Sequence, residues 1–181
     1  MRTFKTEGIV LKRRNAGEAD RILTVFTQNN GKLQIKAKGV RKITSRRASH
    51  IELINLSKLT LYKSSHSFLP TVTEVETIED FPLIKNNLHK VGFSYYICEL
   101  IDALCPENQE NRKIFSLICN VFVKLSSESE YETIVEDFEK ELLSELGFWP
   151  KDRFMKNNTY QNFIENILER RLRTKRLLQL L

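Results

Sequence analysis

Hydrophobic and polar residues follow β-strand patterns along roughly the first eighty residues. The runs EGIVLKRR from Glu7 and ILTVFT from Ile22 are rich in residues that favour strands, and Leu33 to Lys38 alternate strictly between apolar and polar side chains. Strand patterns resume in INLSKLTLYKS from Ile54 and in FLPTVTEVETI from Phe68. Five short strands without a long intervening helix predict a small closed barrel. A five-stranded OB-fold is favoured, and an SH3-like barrel is the alternative.

The hydrophobic spacing changes to that of α-helices after Pro82. The first helix should bury one apolar stripe and end before Pro106, and Gly147 and Pro150 should end the third. Four helices are predicted, over about residues 83–104, 114–125, 132–146 and 160–180. The stripe of the first helix consists of Leu88, Val91, Tyr95, Cys98, Ile101 and Leu104.

Length and composition are those of a globular protein with one or two domains. The chain has 181 residues, of which 41% are hydrophobic and 29% are charged. We expect an α+β protein, with an OB-fold barrel over residues 1–80 and an all-helical domain over residues 81–181. No segment resembles a membrane span or a secretion signal, so we expect a soluble cytoplasmic protein. The three cysteines lack C-x-x-C spacing, which favours reduced thiols over a disulfide or zinc site.

Charge is distributed unevenly along the chain. Residues 1–63 contain 15 Lys and Arg against 4 Asp and Glu, residues 64–150 contain 6 against 16, and residues 151–181 contain 8 against 3. The basic first and last blocks should attract polyanions such as nucleic acid. An anionic membrane is a less suitable partner, because the first block lacks the amphipathic helix that would bind it.

Sequence motifs of catalysis and of cofactor binding are missing. The chain contains no phosphate-binding loop, no G-x-G-x-x-G, no H-E-x-x-H and no G-x-S-x-G. His50, His66 and His89 stand singly, without a Cys or a second His at the spacing of metal ligands. We therefore expect a protein that is not an enzyme and that has no cofactor and no metal site.

Cationic residues of the predicted barrel are the strongest candidates for a binding site. They lie on the strands and on the segment from Arg41 to His50, which we expect to be a mobile loop. Such a cluster would neutralise phosphates and bind nucleic acid in a salt-sensitive way, and the alternative is that it only keeps the domain soluble. Phe26, Tyr62 and Phe68 are candidates for base stacking, although burial in the core is favoured for each. The candidate DNA-binding residues are Lys12, Arg13, Arg14, Arg21, Lys36, Lys38, Arg41, Lys42, Arg46 and Arg47.

A second cationic stretch, ERRLRTKRLLQLL, ends the chain. In the predicted last helix its leucines would pack on the helical domain and its cations would face outward. The alternative is that these cations only complement the dipole at the C-terminus of the helix.

Several segments, in this order, resemble the RecO family of bacterial recombination mediators. They are TEGIVLKRRNAGEADRILTVFTQNNGKLQIKAKGVRK, LINLSKLTLYKS, FLPTVTEVETIEDFP, SYYICELIDALC, LLSELGFWP and ERRLRTKRLLQL. The resemblance implies an N-terminal OB-fold, a helical C-terminal domain and a DNA-repair function in the RecF pathway. It implies binding to single- and double-stranded DNA, annealing of complementary strands, and loading of RecA, together with RecR, on DNA coated by single-stranded DNA-binding protein (SSB). It also implies a place in the bacterial cytoplasm, at the nucleoid.

One departure from the family concerns zinc. Many relatives carry a four-cysteine insertion after the segment equivalent to GFWP, whereas residues 151–158 contain no cysteine. We therefore expect a naturally compact member without zinc. By resemblance, the helical domain should capture the acidic, apolar C-terminal tail of SSB, which requires cations at the rim of an apolar pocket. The candidate SSB-tail residues are Arg170, Arg171, Arg173, Lys175 and Arg176.

Two other classes of function stay open at this point. An RNA-binding OB-fold protein would share the basic barrel but prefer RNA to DNA of the same sequence. A helical protein–protein adaptor would show no salt-dependent binding of nucleic acid.

Overall fold

The structure, a computed structural model, describes residues 2–150 and 159–174. The chain divides into two compact units. The first unit consists of Met1–Asp80 and Pro106–Arg112, and the second consists of Phe81–Cys105 and Lys113–Leu181. A short segment from the middle of the chain therefore belongs to the first unit.

The first unit contains the five predicted strands, closed into a barrel. The strands are β1 (Arg2–Ala16), β2 (Asp20–Thr27), β3 (Gly31–Ala37), β4 (Leu56–Lys63) and β5 (Thr71–Glu79). They follow one another around the barrel in the order β1, β2, β3, β5, β4. Neighbouring strands are antiparallel, except that β3 and β5 meet in parallel where Lys36 pairs with Thr71. This arrangement is the predicted OB-fold.

Alternation of side chains in β3 builds one wall of the barrel core. Leu33, Ile35 and Ala37 are buried, whereas Gln34 and Lys36 lie on the outer face and are half-buried. The first strand begins at Arg2 rather than near Glu7, because its first half pairs with β4 along its whole length. The buried core of the barrel consists of Val10, Leu23, Val25, Leu33, Ile35, Ala37, Val40, Ile51, Leu59, Leu61 and Val72.

The helical unit begins directly after the barrel. Its helices among the described residues are α1 (Pro82–Lys85), α2 (Leu88–Leu104), α3 (Arg112–Ser127), α4 (Tyr131–Glu145) and α5 (Thr159–Leu168). The Asn87 side chain accepts a hydrogen bond of 3.1 Å from the Lys90 N–H and thereby caps α2. Gly147, with a φ of 79°, follows α4 as predicted, since this left-handed conformation suits glycine.

The predicted stripe of α2 is wrong in part. Leu88 is 67% exposed and Tyr95 is 37% exposed, whereas Ile97 and Leu100 are fully buried. The reason is that α2 packs against both α1 and α4, so that more than one of its faces is buried.

The predicted last helix is too long. It ends at Leu168, Glu169 adopts a left-handed φ of 52°, and residues 170–174 are not helical. The N–H of Arg170 donates to the carbonyl oxygen of Glu165, which closes the end of the helix. Residues 175–180 of the prediction lie outside the described residues.

Candidate nucleic-acid interface

Strand register brings three of the predicted cations onto one surface of the barrel. Lys12 lies opposite Thr24, and Arg14 lies opposite Ile22, which in turn lies opposite Lys36. Residues that lie opposite each other on antiparallel strands share a face of the sheet. Because Leu23 and Ile35 point into the core, Lys12, Arg14 and Lys36 lie on the outside of the barrel. We call this surface the basic face.

Two predicted cations pair with a carboxylate of the protein instead. The Arg13 guanidinium forms an ion pair with Glu52, and Arg21 Nη1 lies 3.3 Å from the other oxygen of the same carboxylate. In the strand register Arg13 lies opposite Leu23 and Arg21 lies opposite Ala37, whose side chains are in the core. Arg13 and Arg21 are therefore better placed to stabilise the barrel than to contact phosphate.

Asp20 partly neutralises the basic face. Its Oδ2 lies 2.9 Å from Lys36 Nζ, and its Oδ1 accepts a hydrogen bond of 2.8 Å from the Gly39 N–H. The Gly39 N–H, and after it the Lys36 ammonium, hold the pKa of Asp20 below its ordinary value of 3.8. Asp20 is therefore ionised at neutral pH and pairs with the Lys36 ammonium as a carboxylate.

Arginine side chains hold the loop between β3 and β4 to the barrel. Arg47 donates from Nη1 to the carbonyl oxygen of Val72 at 3.0 Å and from Nη2 to that of Lys38 at 2.9 Å. Arg41 donates to the carbonyl oxygen of Gly17 at 3.0 Å. The predicted loop is therefore present, but it is tied to β5 and to the turn before β2.

Four predicted cations extend into solvent from β1 and from the segment after β3. Arg14, Lys38, Lys42 and Arg46 are all exposed. Within the described residues, the side chains of Arg14, Lys42 and Arg46 form no hydrogen bond and no ion pair. Their charges are thus available to an anionic ligand at no cost in internal contacts.

The predicted aromatic candidates differ in exposure. Phe26 is buried, with 1% of its surface exposed, so the core interpretation is confirmed for it. Tyr62 is half-buried. Phe68, in contrast, is 93% exposed, so the core interpretation is wrong for this residue. It lies in the loop between β4 and β5.

Three of the predicted SSB-tail cations, Arg170, Arg171 and Arg173, lie after α5 in residues 170–174, which are not helical. Glu99 of α2 binds this segment: its carboxylate accepts hydrogen bonds from the N–H groups of Arg173 and Thr174, at 3.0 and 2.9 Å. Arg170 Nη1 also lies 3.2 Å from Glu99, whereas the side chains of Arg171 and Arg173 are exposed. Lys175 and Arg176 lie outside the described residues.

Comparison with known proteins identifies the family. The family model "Recombination protein O N terminal" matches residues 1–81, and "Recombination protein O C terminal" matches residues 85–151. Together the two models account for most of the chain. The chain belongs to the RecO family.

Individual relatives agree with this assignment. The DNA repair protein RecO of Pelotomaculum thermopropionicum is 33% identical over 150 residues, which are 83% of this chain and 57% of that protein. The DNA repair protein RecO of a Roseiflexus species is 34% identical, over 83% of this chain and 52% of that protein. The DNA repair protein RecO of Dehalococcoides mccartyi is 35% identical, over 83% of this chain and 58% of that protein. The chain thus spans a little over half the length of the curated RecO relatives it matches.

Two further findings concern membranes and metals. Among the described residues, no helix is long and apolar enough to cross a membrane. In the same part of the chain, His, Cys, Asp and Glu side chains form no group of three or more that could hold a metal ion.

Proposed function

We propose that this RecO-family chain is a DNA-repair protein of the RecF pathway that acts by binding rather than by catalysis. Its N-terminal domain, residues 1–80, would bind single- and double-stranded DNA, and its helical domain, residues 81–181, would contact proteins. The protein would anneal complementary strands and, with RecR, help RecA to load on SSB-coated DNA at the bacterial nucleoid. Membership of the RecO family supports this proposal, and so does the RecF-pathway role that the resemblance implies.

One structural observation carries the DNA-binding part of the proposal. Arg14 of the basic face, and Lys42 and Arg46 of the loop between β3 and β4, present charges without internal partners, whereas Arg13 and Arg21 are both paired with the Glu52 carboxylate. A surface of unpaired cations that gains a polyanion releases counterions and binds without base specificity. We assign the phosphate contacts to the exposed cations Arg14, Lys38, Lys42 and Arg46, together with Lys12 and Lys36 of the basic face, and a structural role to Arg13, Arg21, Arg41 and Arg47.

A salt titration tests this assignment. Affinity for a labelled single strand is measured by fluorescence anisotropy for the wild type and for the triple variant Arg14→Gln, Lys42→Gln, Arg46→Gln. We expect the slope of log affinity against log salt to become shallower by about 2, because each lost phosphate contact contributes roughly 0.7. The matched control, Lys5→Gln, Lys58→Gln, Lys124→Gln, lowers the net charge equally at exposed lysines elsewhere. Equal losses in the two triple variants would move the site away from the basic face.

The mediator activity needs its own assay. Complementary oligonucleotides coated with SSB are mixed, and annealing is followed with and without the protein across a salt series. Acceleration that fades as salt rises is the expected result. Preference for RNA of the same sequence would favour the RNA-binding alternative, and binding that is absent at every salt concentration would favour the adaptor.

The SSB-tail site of this proposal depends on Arg171 and Arg173, whose side chains are exposed, together with Lys175 and Arg176. Arg170 is less suitable, because its charge is paired with Glu99. Charge reversal at Arg173 and Arg176 should abolish binding of an acidic SSB-tail peptide while the DNA affinity of the barrel is retained. Unchanged peptide affinity in a folded variant would remove this site from the proposal.

A further inference from the structure

A groove of about 560 Å³ opens on the barrel unit beside the loop that joins β4 to β5. Its volume is within the range of roughly 300–1,000 Å³ that is usual for small-molecule sites. Every lining residue belongs to the barrel unit, including those of the segment Pro106–Arg112. We call this groove the aromatic pocket, and the lining residues that matter here are Arg2, Phe4, Gln34, Lys63, Phe68 and Glu107.

Two aromatic rings with adjacent cations line the aromatic pocket. Lys63 Nζ lies 5.8 Å from the centroid of the Phe68 ring, and the Arg2 guanidinium lies 5.9 Å from that of Phe4. Lys63 also donates a hydrogen bond to the carbonyl oxygen of Phe68, which holds the loop in place. Burial of a phenylalanine would stabilise the fold by about 2 kcal/mol, so a ring left 93% exposed is not explained by folding.

Polar groups at the edge of the aromatic pocket suit a base better than a phosphate. Gln34 Nε2 donates a hydrogen bond of 2.7 Å to Glu107, and the Asn108 N–H donates to the carbonyl oxygen of Lys32 at 2.9 Å. Amides and carboxylates bind the donors and acceptors on base edges, whereas a carboxylate repels phosphate. The lining has two negative charges, on Glu107 and Glu110, and two positive charges, on Arg2 and Lys63, so it carries no net charge.

The aromatic pocket adjoins the basic face through β3. Gln34 lies opposite Thr24, which lies opposite Lys12, so the pocket shares a row of the outer face with a cation of the basic face. The Lys36 N–H donates to the carbonyl oxygen of Pro70, another residue of the pocket lining, at 2.8 Å. A single strand whose phosphates follow the basic face would therefore pass the mouth of the pocket.

We propose that the aromatic pocket takes an unstacked nucleobase of single-stranded DNA, with the exposed ring of Phe68 as the stacking surface. A base inside a duplex is stacked on both sides and cannot enter, so the pocket distinguishes single from double strands. This inference rests on the proposed DNA binding. It adds that Phe68 is the residue by which the protein distinguishes single-stranded from double-stranded DNA.

Substitution of Phe68 in the full chain tests the proposal. Affinities for a labelled oligothymidine and for a duplex of the same length are measured for the wild type, Phe68→Ala and Phe68→Trp across a salt series. Phe68→Ala should weaken binding of the single strand at least about fivefold, the lower limit for loss of one stacked base. Its salt slope and its duplex affinity should be unchanged, because no phosphate contact is removed. Phe68→Trp should restore the affinity.

A matched control and a spectroscopic signal complete the design. Phe148 is 44% exposed and lies in the helical unit, so Phe148→Ala removes an exposed ring without touching the pocket. A single strand that contains 2-aminopurine should lose fluorescence on the wild type and on Phe148→Ala, and much less on Phe68→Ala.

Each result decides between the two proposals. One outcome is that the wild type binds DNA with an affinity that falls as salt rises, and that Phe68→Ala binds single strands as tightly as the wild type does. This outcome overturns the pocket proposal, while the proposed function stands. The pocket proposal is also overturned, and the proposed function retained, if Phe68→Ala loses single-strand and duplex affinity equally. If the wild type binds no DNA at any salt concentration, both proposals are overturned.

Discussion

The ammonium group of Lys36 lies 2.9 Å from the carboxylate of Asp20, so the cation that β3 contributes to the basic face is already paired. A polyanion that binds there must displace this carboxylate or accept a weaker contact. Asp20 should therefore limit the affinity that we propose for this surface, and its carboxylate also holds the turn after β3 through the Gly39 N–H.

Replacement of Asp20 by asparagine should raise DNA affinity. The amide oxygen of Asp20→Asn can still accept the Gly39 N–H, whereas the negative charge beside Lys36 is gone. We expect affinity for single strands to rise about two- to fivefold at low salt, with a steeper salt slope. The control Glu74→Gln removes one negative charge from the exposed surface of β5 and should leave the salt slope unchanged. Equal gains in the two variants would mean that only net charge matters.

The division of the predicted cations shows what a sequence can reveal about such a site. Alternation in β3 is a local property, and it correctly placed Lys36 on the outer face opposite the buried Ile35. The pairing of Arg13 and Arg21 with Glu52 depends on residues about thirty to forty positions apart, which no local pattern encodes. The exposed position of Phe68 was missed because the predicted strand pattern starts at Phe68, whereas β5 begins only at Thr71 and leaves Phe68 in the preceding loop.

The helical unit shows the same limit. The start and end of α4 could be predicted, since Gly147 ends the helix by its own backbone preference. The end of α5 could not, because residues after Leu168 continue a helical pattern of leucines and cations. The Glu99 side chain, more than seventy positions away, accepts hydrogen bonds from the N–H groups of Arg173 and Thr174. These bonds replace the ones that the two N–H groups would make in a longer helix.

Gly31 should not tolerate a side chain. Its φ is 64°, and a Cβ added to it would lie 1.9 Å from the carbonyl oxygen of Gln109. Gly31→Ala must therefore push away the segment Pro106–Arg112 in addition to adopting a left-handed backbone. We expect a loss of roughly 3 kcal/mol in the free energy of unfolding, measured by urea denaturation. Gly17 has a φ of 60° but nothing within 4 Å, so Gly17→Ala should lose only about 1 kcal/mol.

These two glycine variants separate steric contact from backbone strain. Similar losses in both would mean that the segment Pro106–Arg112 moves freely away from Gly31. A greater loss in Gly31→Ala would show that the segment is part of the barrel in solution, as its pairing with Lys32 indicates.

The cysteines should differ in reactivity toward a thiol reagent. Cys98 is buried in α2, and burial raises the pKa of its thiol to about 12, so that very little thiolate is present at neutral pH. Cys119 of α3 is half-buried. We expect Cys119 to react with a disulfide reagent in the native protein, and Cys98 only after unfolding. Comparison of Cys98→Ser and Cys119→Ser assigns the two rates, and rapid native reaction in Cys119→Ser would contradict the burial of Cys98 and Cys105.

Glu99 should determine whether the segment after α5 stays on α2. Its carboxylate accepts hydrogen bonds from Arg170, from the N–H groups of Arg173 and Thr174, and from the Thr174 hydroxyl at 2.7 Å. In Glu99→Gln the charge is lost and the amide nitrogen faces N–H donors. We expect the free energy of unfolding to fall by about 1–2 kcal/mol and the amide protons of Arg173 and Thr174 to exchange faster. The control Asp102→Asn, also on α2, should leave the exchange of these two amides unchanged.

The hydrogen bonds between Glu99 and residues 170–174 should weaken as the pH falls. Burial raises the pKa of Glu99, but the hydrogen bonds from Arg173, Thr174 and Arg170 outweigh it and hold the pKa below the ordinary value of 4.5. A carboxyl whose pKa is lower in the folded state stabilises the fold above its unfolded pKa and loses that stabilisation as pH falls through the folded pKa. The exchange of the Arg173 and Thr174 amides should therefore be most protected, relative to unstructured peptides, near neutral pH and should lose protection as the pH falls below the ordinary pKa of 4.5 and through the lower folded-state pKa. In Glu99→Gln this loss on acidification should disappear, and a loss of equal size in both proteins would assign it to another carboxyl group.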